Sequence, residues 1–186
     1  MGKTMDKTFD KAIAYTLRHE GGHVFDPKDP GGETRFGISK RSYPKIDIKN
    51  LRLAEAVYLY RVDFWVRPKF NKITVPTIAT KVFDLGVNTS PRRAAKMLQR
   101  AVNQVCGGEI PAQRRSSWRQ KMARLFKGTT LAVDGLIGPI TIEAVALCPY
   151  HEALLIALKG EAYQHYIKQK KPLYIAGWLT RLAGDA

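Results

Sequence analysis

Acidic residues and cysteines are scarce in this chain. Asp and Glu number 16 against 31 Lys and Arg, which gives the 186 residues a formal charge of +15. So few acids exclude a surface that repels polyanions. Nucleic acid, anionic lipid headgroups and cell walls bearing teichoic acid or lipopolysaccharide would all be attracted, and charge alone does not choose among them. The two cysteines, Cys106 and Cys148, fit no CxxC or zinc spacing, which excludes a disulfide-dense scaffold and a zinc ribbon. Two buried free thiols are expected there, with one disulfide as the alternative. No apolar run approaches the roughly 20 residues that span a bilayer. The opening MGKTMDKTFDKAIAYTLRHE has no apolar core of a secretory signal, so synthesis in the cytoplasm is expected. Internal repeats and long low-complexity blocks are also lacking, which argues against a solenoid or a disordered tail. Nothing implies a metal or an organic cofactor.

What is present suits a compact domain. The hydrophobic fraction is 45%, and the length fits one domain or a domain with a modest second lobe. Helical periodicity dominates. Phe9, Ile13 and Leu17 recur every four residues, with Thr16 and Glu20 extending the same face, and Gly21-Gly22 end that helix. From Val24 to Gly37 the chain turns through two Asp-Pro pairs and a Gly pair, and ETRFGIS suggests a short β element at 33–39. Further helices are expected at Leu53–Phe64, with Leu53, Ala56, Val57 and Tyr60 inward, and at Val75–Asn88, capped by Thr74. Ser90-Pro91 marks another helix start, and the basic stretch 107–128 reads as a surface excursion with one short helix. A helix from Pro139, a long one at Glu152–Gln169 and a last one at Ile175–Leu182 complete the pattern. The expected fold is mainly α, with a small β-hairpin near residues 33–39.

Glu20 is the residue with catalytic character. It lies on the apolar stripe of its helix and in the last turn, where the negative end of the dipole disfavours a carboxylate. Partial burial would act in the same direction, so the group suits a general acid that keeps its proton near neutrality. The alternative is an exposed Glu, or one paired with Arg18 or Lys7. The following loop adds Asp26, Asp29 and Thr34. Glycoside hydrolysis needs an acid for the leaving oxygen and a second group across the sugar, and Asp29 or Thr34 could supply the latter. Both aspartates also start Asp-Pro turns, which explains Asp26 and competes for Asp29.

The run HEGGHVFDPKDPGGETRFGISKRSYP resembles the signature of glycoside hydrolase family 108, N-acetylmuramidases found as phage endolysins and related bacterial lysozymes. The likeness continues through AEAVYLYRVDFW and VFDLGVNTSPRRAAKMLQRAVN. VDGLIGPITIEAV and the GWLTRL tail are similar to that family's predicted peptidoglycan domain. The resemblance implies one α+β lysozyme-like domain over 1–186, its helices around a substrate cleft, with a catalytic region at 7–95 and a peptidoglycan-domain-like region at 96–186. It implies Glu20 as the catalytic acid, with Asp29 and Thr34 as its partners. Thr34 follows Asp29 by five residues, where the Glu-Asp-Thr pattern of phage-type lysozymes has six, and His23 stands where an aromatic residue commonly follows Glu-Gly-Gly. His23, Phe36 and Asn88 are the candidate sugar contacts, Asn88 for an N-acetyl group or else as a helix C-cap. Trp65, Trp118 and Trp178 either stack on sugars or pack the core.

The function implied is hydrolysis of the β-1,4 bond of peptidoglycan by a monomer with no nucleic-acid partner and no integral membrane segment. It would act in the periplasm or cell wall after holin-type release or dedicated export. Two readings compete: a lytic transglycosylase on the same substrate, and a non-enzymatic basic protein binding nucleic acid or cell wall.

Overall fold

The computed structural model describes residues 2–19, 33–107, 117–126 and 130–184. Eight α-helices and one two-stranded sheet make up the regular structure of these residues. The first helix, α1, spans Gly2–His19 and buries Phe9, Ala12, Ile13, Tyr15 and Thr16, with Leu17 packed at the edge. That face follows the expected stripe, although the helix begins five residues before Lys7.

The β element is a hairpin: β1 (Thr34–Arg35) pairs antiparallel with β2 (Ile38–Ser39), Thr34 opposite Ser39 and Arg35 opposite Ile38. Its two central residues, Phe36 and Gly37, have φ of 51° and 75°. A two-residue hairpin of type I′ requires positive φ at both places, because only that turn matches the right-handed twist of the strands. Gly37 adopts it without cost, whereas Phe36 is held there by its surroundings.

The second helix, α2 (Leu53–Tyr60), continues as a π-helical turn over Arg61–Val66, in which Arg67 N–H reaches back five residues to the Val62 carbonyl at 2.9 Å. One extra residue in the turn rotates the following side chains, and Trp65 enters the core while Asp63 faces Tyr43. Ala56 and Tyr60 are buried as expected and Val57 partly so, but Leu53 is 48% exposed because the first turn projects beyond the core.

The central helix is α3, Pro76–Asn88, after a 3-10 turn at Phe70–Lys72. Every residue from Ile78 to Gly86 is buried, so this helix has no solvated face in its middle two turns. Thr74 does not cap it. Pro76 forces the residue before it into extended backbone, so Val75 becomes the boundary, at φ −92° and ψ 106°. The next helix, α4 (Pro91–Cys106), starts as expected: the Ser90 hydroxyl accepts from Arg93 N–H at 3.3 Å, with Pro91 at the first helical position.

Helices α5 (Ser117–Phe126), α6 (Pro139–Leu147), α7 (His151–Lys168) and α8 (Pro172–Ala183) follow. Leu154, Leu158, Ala162 and Tyr166 form the buried ridge of α7. Buried side chains from Phe9 to Leu182 form one continuous cluster. Cys106 and Cys148 are both buried free thiols within it.

The VDGLIGP segment is tied to α4 by two amides. Gln99 Nε2 donates to Asp134 Oδ1 (2.7 Å) and to the Leu136 carbonyl (3.0 Å), while its Oε1 accepts from Gly135 N–H. Asn103 brackets Leu131, donating to its carbonyl and accepting from its N–H. Gly135 sits at φ +81°, and a Cβ there would meet Arg92 Cγ at 2.8 Å and the Arg92 carbonyl oxygen at 3.0 Å. Gly135→Ala is therefore expected to cost about 1–3 kcal/mol, read from the urea midpoint. A loss below about 0.5 kcal/mol, the size of an ordinary surface change, would show that the loop yields freely.

Candidate active site

The residues predicted to carry chemistry divide into three groups. Glu20, His23 and Asp29 lie outside the described residues. Thr34 and Phe36 share the hairpin. Asn88 is the last residue of α3, and its Nδ2 donates to Tyr166 Oη of α7 at 2.6 Å.

The end of α1 leads into the first group. The helix runs unbroken to His19, so the chain reaches residue 20 directly from the C-terminal end of an 18-residue helix. Thr16, one turn earlier and on the same face as position 20, is fully buried, and its hydroxyl has no hydrogen-bond partner. Tyr15 beside it donates from Oη to the Arg181 carbonyl at 2.6 Å, and the Arg18 guanidinium lies 5.6 Å from its ring centre.

The hairpin is fixed from below. Tyr60 Oη donates to the Phe36 carbonyl at 3.0 Å, which holds the left-handed tip against α2. The Arg35 guanidinium lies 5.3 Å from the Phe36 ring centre and donates to the Lys49 carbonyl. Thr34 is half-buried in β1. Beyond the hairpin, Tyr43 Oη donates to Asp63 Oδ2 at 2.8 Å and Arg67 pairs with Asp63 Oδ1 at 2.5 Å. Burial first, then the Asp63 carboxylate, push the Tyr43 phenol well above its ordinary value, so it remains a donor.

A buried charge cluster underlies the same helices. Asp84 accepts from Arg181 Nε at 2.8 Å and lies 4.0 Å from Lys81 Nζ, which donates to the Gly184 carbonyl and faces the Tyr15 ring at 5.2 Å. Phe9, Trp65 and Phe83 pack together with centroids 5.8 Å apart, Phe83 edge to face with both and Phe9 tilted at 46° to Trp65. Trp65 is therefore core packing. Trp118 packs against Tyr150, and Trp178 lies between Tyr166 and Tyr174.

A groove of about 720 Å³ runs between the π-helical turn, the start of α4 and the loop before α6, past Asp63, Arg67, Arg92, Leu136 and Ile137. Thr34 and Phe36 are not among its walls. Among the described residues no cluster of three His, Cys, Asp or Glu could hold a metal ion. The supporting residues Tyr60, Tyr43 and Asp63 escape sequence reading. Their only signal is the aromatic-rich YLYRVDFW run, which points equally to core packing.

Residues 13–89 match the family model of glycosyl hydrolase 108. That match spans the C-terminal part of α1, the hairpin, α2 and α3. The fold as a whole is similar to the solved structure of SagA from Brucella abortus, with a TM-score of 0.68 at 23% identity, covering 96% of this chain and 91% of that one. Among curated proteins none matches.

Proposed function

We propose that this chain is an N-acetylmuramidase that hydrolyses the β-1,4 glycosidic bond of peptidoglycan, with Glu20 as general acid. The observation that carries this reading is the glycosyl hydrolase 108 match over residues 13–89. It falls on a helix that ends immediately before Glu20 and whose preceding turn is buried at Thr16. A carboxyl entering a cleft from the negative end of a helix is held in its protonated form. That is the state needed to protonate a leaving sugar oxygen. Asp29 or Thr34 then positions water or steadies positive charge at the anomeric carbon. His23 and Phe36 contact the sugar from the loop and the hairpin tip, and Asn88 is the more distant candidate for an N-acetyl contact. The enzyme acts as a monomer in the periplasm or wall, reached by holin-type release or dedicated export. The charge of +15 draws it to anionic envelopes before specific contact forms.

Mass spectrometry of the products from purified peptidoglycan tests the reaction. Reducing-end fragments that have gained one water are expected. Fragments with a 1,6-anhydro end would instead assign a lytic transglycosylase, and no cleavage would remove the glycosidase reading.

The hairpin tip offers a narrower test. Phe36→Asn keeps a residue that tolerates positive φ while removing the ring. Melting is expected to stay close to wild type while KM for wall fragments rises several-fold, in line with about 0.5–1.5 kcal/mol for one aromatic contact. An unchanged KM would make Phe36 a turn residue only.

A further inference from the structure

The molecule holds a second site, built from charge. Helices α4 and α7 enclose a groove of about 620 Å³ with Arg92, Arg93, Lys96 and Arg100 on one wall and His165 and Lys168 on the other. Residues 92, 96 and 100 fall on one face, each step rising about 6 Å along the axis. The one carboxylate lining the groove among the described residues is Glu161, already engaged by Arg100 at 3.5 Å and by Gln104 Nε2 at 2.6 Å. Two of these cations, Arg92 and Lys96, are packed along their stems. The Gly135 backbone packs so closely on Arg92 and Lys96 that an added Cβ would lie 2.8 and 3.1 Å from their Cγ atoms. Stems held in this way lose little further freedom when the charged ends grip a ligand.

Gathering these charges costs free energy in the empty protein. His165 registers it: burial, then Arg93 and Lys168, hold its imidazole below the ordinary histidine range. A polyanion would relieve that repulsion. The lining narrows the choice of polyanion. Double-stranded nucleic acid is read by elements that project into its grooves, whereas these cations line a recess. Single-stranded nucleic acid is held by aromatic platforms between the cations, and among the described residues no Phe, Tyr or Trp lines this groove. A lipid would need an apolar bed for its chains, and Met97 is the one apolar side chain lining the groove among the described residues.

We propose that the groove between α4 and α7 binds a base-free phosphodiester polymer of the bacterial envelope, with successive phosphates gripped by the cations of both helices. The site is separate from glycosidic cleavage, so its test does not depend on that activity. The probe is a synthetic glycerol phosphate oligomer, titrated calorimetrically and by the His165 ring resonances. Saturable, salt-sensitive binding is expected, with His165 titrating at higher pH in the complex. Lys96→Glu with Lys168→Glu is expected to weaken binding by about tenfold or more, and the paired Gln variants by less. Lys72→Glu with Lys121→Glu, which changes net charge equally at exposed positions outside the groove, is expected to stay within about twofold. Equal losses in both Glu pairs would reduce the groove to diffuse attraction and overturn the proposal. So would an oligothymidylate of equal charge binding more tightly through the same residues, or an oligomer that leaves His165 unmoved. Cleavage of phosphate-free glycan by the Lys96 and Lys168 variants is expected at the wild-type rate, which keeps this site distinct from the catalytic one.

Discussion

Glu20→Gln is expected to lower glycan hydrolysis by at least about 100-fold while leaving the melting temperature unchanged, because a positioned general acid contributes roughly 10²–10⁴ in rate. The amide keeps the size and hydrogen-bonding reach of the side chain and removes only the transferable proton. The preceding helix makes this the informative substitution. α1 runs 18 residues to His19, and the proposed acid role of Glu20 draws on the preference of a helix's negative end for a neutral carboxyl. Fully buried Thr16, one turn back, shows that the helix presents this face inward. Lys7, Lys11 and Arg18 lie on exposed positions, where solvent screens them. Turbidity clearing of wall suspensions and release of reducing ends both measure the loss. A Gln variant retaining more than about a tenth of wild-type activity would transfer the acid role elsewhere and undo the muramidase reading.

Local features of this fold were legible in the sequence, and long-range ones were not. The α1 stripe, the Ser90-Pro91 start and the Pro139 start depend on residues within one or two turns, and each stands where periodicity or capping places it. The hairpin at 33–39 was legible from ETRFGIS, but the positive φ at Phe36 was not, since a bulky residue is an unlikely occupant of that conformation. What holds it is Tyr60, 24 residues away, whose hydroxyl reaches the Phe36 carbonyl. The π-helical turn at Arg61–Val66 was missed for a related reason: its cause is the packing of Trp65 and the pairing of Asp63 with Tyr43, not a local breaker. Thr74 was misread as a cap because the steric effect of Pro76 on Val75 outweighs side-chain preference. At the site, Thr34 and Phe36 were found together on the hairpin as their spacing suggests. Asn88 is a candidate only through the family resemblance of its helix, and its partner Tyr166, 78 residues further along the chain, has no local signal.

The largest stability effect is expected at Asp84. It is 2% exposed, and its carboxylate accepts from the buried Arg181 and lies beside the buried Lys81. Asp84→Ala would remove a buried carboxylate from beside two buried cations, at a cost of about 3–5 kcal/mol. Arg181→Met should cost less, because Lys81 remains beside Asp84 and the methionine stem fills much of the space. The double variant Asp84→Ala with Arg181→Met is expected to be more stable than Asp84→Ala alone, since it removes the cation whose partner was lost. Urea unfolding of the three variants gives the coupling free energy directly. If Asp84→Ala costs under about 1 kcal/mol, solvent reaches this cluster and its charges are not held by one another. The consequence extends to the proposed catalytic end of the molecule. Arg181 lies on α8, its carbonyl accepts from Tyr15, and Lys81 faces the same ring while donating to the Gly184 carbonyl. Tyr15 is five residues before Glu20, so the GWLTRL tail clamps the last turns of α1 through this cluster. Asp84→Ala should therefore lower kcat as well as stability at temperatures where the protein is still folded.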